Sequence, residues 1–276
     1  MSRSAPPRAT RPAAPSLFDP DGAAVPDDVD PGDAPADDLA RRCDLARLAH
    51  ERLCEVYGCP VAFFSDKDPV SELVSALLSH RTKNADSARA FRTLRERFPT
   101  WENVCEADTA DVEDAIRAAT WPEQKAPRVQ DVLRRIAVRT RDKGRRMADE
   151  PLALDFLADL SVDDARVWLE AMPGVGPKTS AAVLLFSRLR RPAMPVDSHH
   201  HRVAERLGLI PRGTAVGAAH ARLDALVPEP DDAQAVYDHH EVFMLHGQRV
   251  CTHARPRCPA CVLLDVCPEG QRRTAA

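Results

Sequence analysis

The segment Val162–Phe186 reads VDDARVWLEAMPGVGPKTSAAVLLF, and it fixes the local fold more firmly than any other stretch of the chain. One helical pattern ends near Met172, and the PGVG sequence of residues 173–176 predicts a tight turn. Pro177 favours the first position of a second helix. Two glycines let backbone N–H groups approach a partner closely beside the positive end of a helix, an arrangement that suits phosphate. The alternative is a glycine-capped turn that binds nothing.

Outward from this segment, the body shows helical periodicity. Residues 39–57 carry leucines at helical spacing, and Asp68-Pro69 predicts the capped start of another helix. Further helical patterns cover residues 85–98, 109–119, 124–141, 151–158, 162–171, 177–189, 199–207, 214–226 and 231–246. Because β-branched alternation never persists, the sequence predicts an all-α fold with helices packed around two cores.

The first 38 residues differ in composition from this body. They are rich in Pro, Ala and Asp, which predicts a disordered tail. The net charge of the whole chain is −4. Removing the tail's three arginines and eight aspartates from the totals of 38 and 42 leaves 35 basic and 34 acidic groups. A body this close to neutral can bind nucleic acid only through local patches.

No long apolar run indicates a membrane span or a secretion signal, so we expect a cytoplasmic, nucleoid-associated protein.

Two single residues carry possible chemistry. Lys178 lies in the first turn after the glycine turn, where the helix dipole opposes its positive charge. A neutral lysine amine is a nucleophile that forms Schiff bases with sugar carbons, although Lys178 could instead contact phosphate as a cation. Asp197 precedes the predicted helix 199–207, where a carboxylate is favoured as a cap in any case. The consecutive residues His199, His200 and His201 cannot share one helix face, which argues against a three-histidine metal site.

Four cysteines near the C-terminus form a C-x6-C-x2-C-x5-C run: Cys251, Cys258, Cys261 and Cys267. Their thiolates can converge on zinc or on an iron–sulfur cluster, and two disulfides are the alternative. Zinc sites more often pair two Cys-x2-Cys knuckles, and only one is present, so the spacing favours a [4Fe–4S] cluster. The other four cysteines are interpreted as small apolar residues without chemistry: Cys43, Cys54, Cys59 and Cys105.

Together these stretches resemble the endonuclease III family of DNA glycosylases over roughly residues 40–270. The matching stretches are MPGVGPKT at 172–179, VDSH…RV at 196–203, HH…LHG at 239–247, and the cysteine run with PRC at 256–258. The resemblance implies a helix–hairpin–helix motif at 162–189, a [4Fe–4S] cofactor in the loop 251–267, and a monomer that binds double-stranded DNA carrying a damaged base.

The resemblance also implies a domain organisation. A helical barrel domain would span 67–189. A cluster domain would be built from residues 39–66 and 190–270, between the tail at 1–38 and a short tail at 271–276. The catalytic cleft would lie between the two domains.

The activity implied is base excision with strand cleavage. The enzyme would flip out an oxidised pyrimidine, and Lys178 would displace it through a Schiff base, with Asp197 as the assisting carboxylate. The resulting Schiff base would permit β-elimination. Backbone N–H groups around Gly174, Val175 and Gly176 would hold phosphates. The cluster would order a loop whose Arg255 and Arg257 contact DNA. Alternatives are a monofunctional mismatch-type glycosylase and a catalytically weak iron–sulfur DNA-binding protein.

Two positions depart from the family pattern. The family's glutamine, which fills the gap left by the flipped base, is replaced by Arg81, and its leucine wedge aligns with Trp121. These changes bear on lesion choice and on the preferred opposite base. Trp121 could alternatively belong to the hydrophobic core.

Overall fold

The computed structural model describes residues 36–142 and 152–275, and within these ranges the chain contains helices and no β-strand. The α-helices are α1 (Ala36–Tyr57), α2 (Pro69–Ser79), α3 (Asn84–Arg97), α4 (Trp101–Glu106), α5 (Thr109–Ala115), α6 (Pro122–Asp142), α7 (Val162–Glu170), α8 (Pro177–Phe186), α9 (Ser198–Leu207), α10 (Val216–Asp224), α11 (Ala233–Arg249) and α12 (Pro268–Thr274). Short 3-10 helices cover Asp155–Asp159, Cys258–Ala260 and Leu264–Val266. The predicted all-α fold is confirmed. None of the described helices is long and apolar enough to cross a membrane.

The helices that position the candidate site begin at residues suited to helix starts. The Asp68 carboxylate accepts a hydrogen bond from the Ser71 amide at 2.9 Å, and Pro69 occupies the first position of α2. Gly176 and Pro177 start α8 in the same way that the sequence predicts. Asp197 caps α9 with its side chain. The starts of α2, α8 and α9 are therefore encoded locally.

Two hydrophobic cores organise the described residues. The first is built from α2 to α8, and the second from α1 and α8 to α11 together with Leu263. Helix α8 serves both: Ala181, Val183 and Leu184 face the first core, and Ala182, Leu185 and Phe186 face the second. Beyond its first turn α8 is buried on all sides, between the two cores. Its first turn carries Lys178, which is therefore held at the junction of the two cores.

Several expectations from the sequence need correction. Residues 152–154 are not helical, and the pattern at 151–158 yields only the 3-10 helix Asp155–Asp159. The predicted tail at 1–38 lies outside the described residues except for its last three, which begin α1. Residues 271–274, expected in a C-terminal tail, complete α12. This helix is stabilised by Glu269, which pairs with arginines three and four residues later.

Two of the cysteines interpreted as plain apolar residues are bonded to each other. Cys54 in the last turn of α1 forms a disulfide with Cys59. Gly58, between them, has a φ of +83°, a left-handed conformation that favours glycine and turns the chain back at the end of the helix. A disulfide at this place was not expected from the sequence.

Candidate active site and cysteine centre

The hairpin between α7 and α8 forms the turn that the sequence predicts. The Val175 amide donates to the Met172 carbonyl at 3.2 Å, and the Thr179 amide donates to the Gly176 carbonyl at 2.9 Å. Gly174 has a φ of +79°, where a side chain would be strained. Around Gly176 there is open space where a Cβ would point, so a partner can approach the backbone.

A cation from outside the sequence motifs lies against this hairpin. A Cβ added to Gly174 would stand 2.9 Å from Nη1 of Arg128, a residue of α6. The arginine therefore brings positive charge to the glycine turn from a distant part of the chain. Nothing in its local sequence singles it out, because it is one of many arginines in α6.

Lys178, in the first turn of α8, has an exposed side chain. Among the described residues it makes no hydrogen bond or ion pair, but its charge acts on two histidines, His80 and His240. The His80 ring lies beside the first turn of α8, with Nε2 3.1 Å from Oγ1 of Thr179. Burial, followed by the charges of Lys178 and Lys125, lowers the pKa of His80 to about 4. The two imidazoles that feel the Lys178 charge are thus neutral at pH 7, and no described carboxylate forms an ion pair with Lys178.

Asp197 is half-buried and its Oδ1 accepts hydrogen bonds from the amides of His199 at 2.9 Å and His200 at 2.7 Å. Burial alone would raise the pKa of Asp197, but the charge interaction with His240 and the His200 amide outweigh it, so the pKa lies below its usual value. The residue is therefore a helix cap and a well-held carboxylate at once.

His240 links the two candidate catalytic residues. It is buried in α11, and it interacts electrostatically with both Asp197 and Lys178. Burial lowers its pKa to about 4, and the Lys178 charge acts in the same direction while the Asp197 charge opposes it. One buried imidazole therefore feels the charges of both Lys178 and Asp197, so both side chains lie near His240.

The three consecutive histidines have three different surroundings. Nδ1 of His199 lies 3.1 Å from Nη2 of Arg202, and His201 Nε2 lies 2.8 Å from the Thr214 carbonyl. The ring of His200 is fully buried, and neither of its nitrogens has a partner among the described residues. It packs against Phe243 with ring centroids 4.9 Å apart. His200 therefore serves as a neutral core side chain.

Arg81 and Trp121, the two positions that depart from the family pattern, lie side by side. Their φ angles are +51° and +54°, in the left-handed region that costs non-glycine residues about 1 kcal/mol or more. The Arg81 guanidinium carbon lies 6.0 Å from the centre of the Trp121 ring. Trp121 is 36% exposed, which does not fit a core residue. Both side chains are available at the surface.

Lys125, another residue from outside the sequence motifs, holds these two loops together. Its Nζ donates to the carbonyls of Leu78 at 2.7 Å and His80 at 2.8 Å, and to Oγ1 of Thr82 at 2.7 Å. The same Thr82 oxygen accepts from the Thr120 amide at 3.1 Å. Burial lowers the pKa of Lys125 to about 8. The loop after α2 and the loop before α6 are thereby fixed to each other.

The four cysteines of the C-terminal run are half-buried free thiols that line one cavity. Burial raises the pKa of the Cys261 thiol, and the other three cysteines act on it in the same direction. Several N–H groups point at sulfur, as at Cys251 from Arg206 (3.2 Å) and at Cys267 from the Gly270 amide (3.3 Å). Such N–H···S contacts suit thiolate ligands.

The spacing of these thiols bears on the kind of group they could hold. Among the described residues, no set of three or more Cys, His, Asp or Glu side chains is arranged to hold a single metal ion. Four cysteine sulfurs that line one cavity are a donor set suited to thiolate-bound zinc or to an iron–sulfur cluster. The residues present therefore fit a thiolate-bound cluster.

The arginines of the cysteine loop are exposed. Arg257 donates its amide to the Val250 carbonyl at 3.0 Å and its guanidinium to the Arg249 carbonyl. Arg255 projects from the same loop with no hydrogen bond or ion pair to any described residue. Both lie on the outside of the loop, where a partner molecule can reach them.

Comparison with known proteins finds DNA repair glycosylases. The family model described as "HhH-GPD superfamily base excision DNA repair protein" matches residues 74–229. Endonuclease III of Thermotoga maritima is 30% identical over 212 residues, which cover 75% of this chain and 86% of that protein. An Arabidopsis thaliana protein, named provisionally as a DNA glycosylase, is 29% identical over 206 residues, which cover 75% of this chain and 65% of that protein.

Solved structures agree on the fold. A non-covalent endonuclease III–DNA complex superposes with a TM-score of 0.67 at 23% identity, covering 85% of this chain and 99% of that one. A thermostable thymine-DNA glycosylase superposes with a TM-score of 0.65 at 18% identity, covering 83% of this chain and 98% of that one. At these identities the likeness concerns the fold alone.

Proposed function

Because this chain belongs to the endonuclease III family, within the HhH-GPD superfamily of base excision DNA repair proteins, we propose that it is a bifunctional DNA glycosylase and AP lyase that removes oxidised pyrimidines. That it is an endonuclease III-like DNA glycosylase of base excision repair follows from the family. The lyase step and the lesion class are the proposal.

The observation that carries the proposal is the shared environment of Lys178 and Asp197. Lys178 is exposed and unpaired among the described residues, as a nucleophile must be to reach the sugar. Asp197 is held as a carboxylate, and the buried His240 interacts with both groups. A free amine and a well-held carboxylate near one buried imidazole are the pair that Schiff-base chemistry on a sugar requires.

In the proposed reaction, the damaged nucleotide leaves the base stack so that its glycosidic bond becomes accessible. The Nζ of Lys178 attacks C1′ and displaces the base. Asp197 accepts a proton from the lysine nitrogen and stabilises positive charge on the sugar. The Schiff base then permits β-elimination, which cuts the strand on the 3′ side.

DNA would be held largely through its phosphates. Backbone N–H groups around Gly174, Val175 and Gly176 can approach a phosphate at the start of α8, and Arg128 adds charge beside them. The exposed residues Arg255 and Arg257 would make a second set of backbone contacts. Arg81 and Trp121 would enter the duplex where the nucleotide has left.

We further propose that Cys251, Cys258, Cys261 and Cys267 hold a [4Fe–4S] cluster, which would order the cysteine loop. Iron and acid-labile sulfide assays on the purified protein, about four of each per chain for this cluster type, test this assignment; a colourless zinc protein would contradict it. We also propose that the protein works as a monomer at the nucleoid in the cytoplasm.

Borohydride trapping tests the lyase directly. Wild-type protein should become covalently linked to a duplex containing an abasic site or an oxidised pyrimidine, whereas Lys178→Gln should not. Lys83→Gln, which removes the exposed lysine that precedes α3, is the control and should still cross-link, because the proposed Schiff base forms at Lys178. Base release without any cross-link would indicate a monofunctional glycosylase, and DNA binding without either activity would indicate a binding protein.

A further inference from the structure

A second carboxyl group, which the proposed mechanism does not use, lies next to Asp197. Glu241 follows His240 in α11, and its side chain is half-buried. It makes no hydrogen bond and no ion pair with any residue that the structure describes. A partly buried carboxyl group without a partner costs some stability, and such groups near a candidate site are often functional.

The neighbours of Glu241 place it at the candidate site. The Asp197 charge acts on its carboxyl group from the start of α9. Along α11, Glu241 lies one turn after Tyr237, and the two side chains interact electrostatically. The residue before it, His240, is the imidazole that also feels Lys178. The Glu241 carboxyl group thus lies near Asp197, and Glu241 directly follows the imidazole that feels Lys178.

An aromatic surface adjoins this carboxyl group. The Tyr237 hydroxyl accepts from the Phe64 amide at 3.2 Å, which fixes the loop that carries Phe64. The Phe64 ring is 62% exposed and packs 5.1 Å from the Phe186 ring, which in turn lies 5.4 Å from the His240 ring. A flipped base could stack on the exposed face of Phe64 while its polar edge reaches Glu241.

The surrounding charges push the two carboxyl groups toward opposite protonation states. Burial raises the pKa of Glu241 to about 7, and the Asp197 charge acts in the same direction. The pKa of Asp197 is lowered instead. Other titratable groups around this region are Tyr237, His240 and Lys178, and Arg190 acts on Tyr237. The Nζ of Lys67 lies 6.0 Å from the centre of the Phe64 ring. Two neighbouring carboxyl groups with separated pKa values are the usual arrangement for an acid and a base.

We propose that Glu241 is a further catalytic residue, which donates its proton to the flipped base as the glycosidic bond breaks, while Asp197 remains ionised. This inference rests on the proposed function. The lone pair of Lys178 Nζ forms the bond to C1′ as the C1′–N1 bond breaks and its electron pair moves into the pyrimidine ring. The Glu241 proton goes to O2 of the departing base, which leaves neutral, and Glu241 remains as carboxylate. The surplus proton on Nζ passes to Asp197.

Comparing two DNA substrates separates a role of Glu241 in base release from a role in strand cleavage. Release of thymine glycol breaks a glycosidic bond and needs the acid, whereas β-elimination at a preformed abasic site does not. Glu241→Gln should slow single-turnover base release about 100-fold, a typical loss for a general acid, and leave abasic-site cleavage within about twofold. Glu96→Gln, which removes an exposed carboxylate from α3, is the control and should leave both rates unchanged.

The pH profile supplies a readout that a structural role would not change. Wild-type base release should fall about tenfold per pH unit well above pH 7 as Glu241 ionises, and Glu241→Gln should lack this decline. At pH 8 the melting temperature of Glu241→Gln should not lie below that of the wild type, because the ionised Glu241 carboxylate has no partner that the substitution removes. Equal slowing on both substrates, or no slowing on either, would overturn the role of Glu241. Base release that needs Glu241, with no cleavage of abasic sites, would support Glu241 and overturn the proposed lyase.

Discussion

Asp197 combines two roles at one residue, and a single substitution separates them. Asparagine can accept the same amide hydrogen bonds at the start of α9 but carries no charge. We expect Asp197→Asn to keep the affinity for damaged duplex within about threefold and to slow base release by about 100-fold or more, because only transition-state charge stabilisation is lost.

Asp232→Asn is the matched control, measured with the same gel-shift and single-turnover assays. Asp232 caps α11 by accepting from the Gln234 amide at 2.8 Å, so the substitution tests capping alone. It should change neither affinity nor rate. Parallel loss of binding and rate in Asp197→Asn would show that the residue acts only as a cap.

The candidate residues divide by how far apart their partners lie in the sequence. Lys178 and Asp197 stand in contiguous motifs, so the sequence alone was enough to select them. Glu241 and Lys125 gained their importance from burial and from neighbours more than 40 residues away. The placement of Arg128 against Gly174 is of the same kind. Such tertiary placement leaves no local signal.

At the scale of elements, the loops that carry Arg81 and Trp121 depend on Lys125. Its ammonium group bonds two carbonyls at the end of α2, where the helix dipole favours a cation, and also bonds Thr82. Lys125→Met keeps the length of the side chain but removes all three donors. We expect the free energy of unfolding to fall by about 2–3 kcal/mol, since partly buried acceptors lose their partner.

Urea denaturation measures this loss, and Lys83→Met is the matched control. Lys83 is exposed and its side chain bonds to no described residue, so its replacement should change stability by less than about 0.5 kcal/mol. Lys125→Met should also weaken binding to damaged duplex, because both left-handed backbone positions lose support. Equal stability of the two variants would contradict a role for Lys125 in fixing the loops.

The sequence predicted helices well where the caps are local and poorly where they are not. Helices α2, α8 and α9 start at Asp or Gly followed by Pro or a polar turn, all visible in the sequence. Helix α4 was missed because it has only six residues and its capping box uses Asn103 instead of an acidic residue. Helix α12 was missed although Pro268 at its start and the pairs of Glu269 with Arg272 and Arg273 are local; Glu269 also pairs with the distant Arg212.

For the whole molecule, the important feature is that both cores meet along α8. The first core anchors one face of the helix and the second core anchors the other, so Lys178 at its start is fixed relative to Asp197 and Glu241 from both sides. Much of the second core beneath them is aromatic and imidazole. The rings of His200 and His239 lie 5.4 Å apart, and His239 stacks on Phe243 at 4.3 Å.

These buried histidines predict a loss of stability in acid. Burial lowers the pKa of His239 to about 3 and of His240 to about 4, and lowers the pKa of His200 well below its usual value. Unfolded histidines take up protons near pH 6.5. Because the folded-state pKa values are lower than this, the histidines do not reduce the free energy of unfolding above pH 6.5. Below pH 6.5 the free energy of unfolding falls, by about 2 kcal/mol for each histidine at pH 5. Glu241, whose pKa is raised, opposes this by a similar amount.

Urea denaturation of the wild type and His239→Phe at pH 7 and pH 5 tests the prediction. Phenylalanine keeps the stacking on Phe243 but cannot take up a proton in the unfolded state, so the variant should lose about 2 kcal/mol less than the wild type over this range. Because both proteins carry the same cysteine loop, acid damage there cancels in the comparison. If the two proteins lost the same free energy between pH 7 and pH 5, the buried imidazole of His239 would not be a source of acid instability.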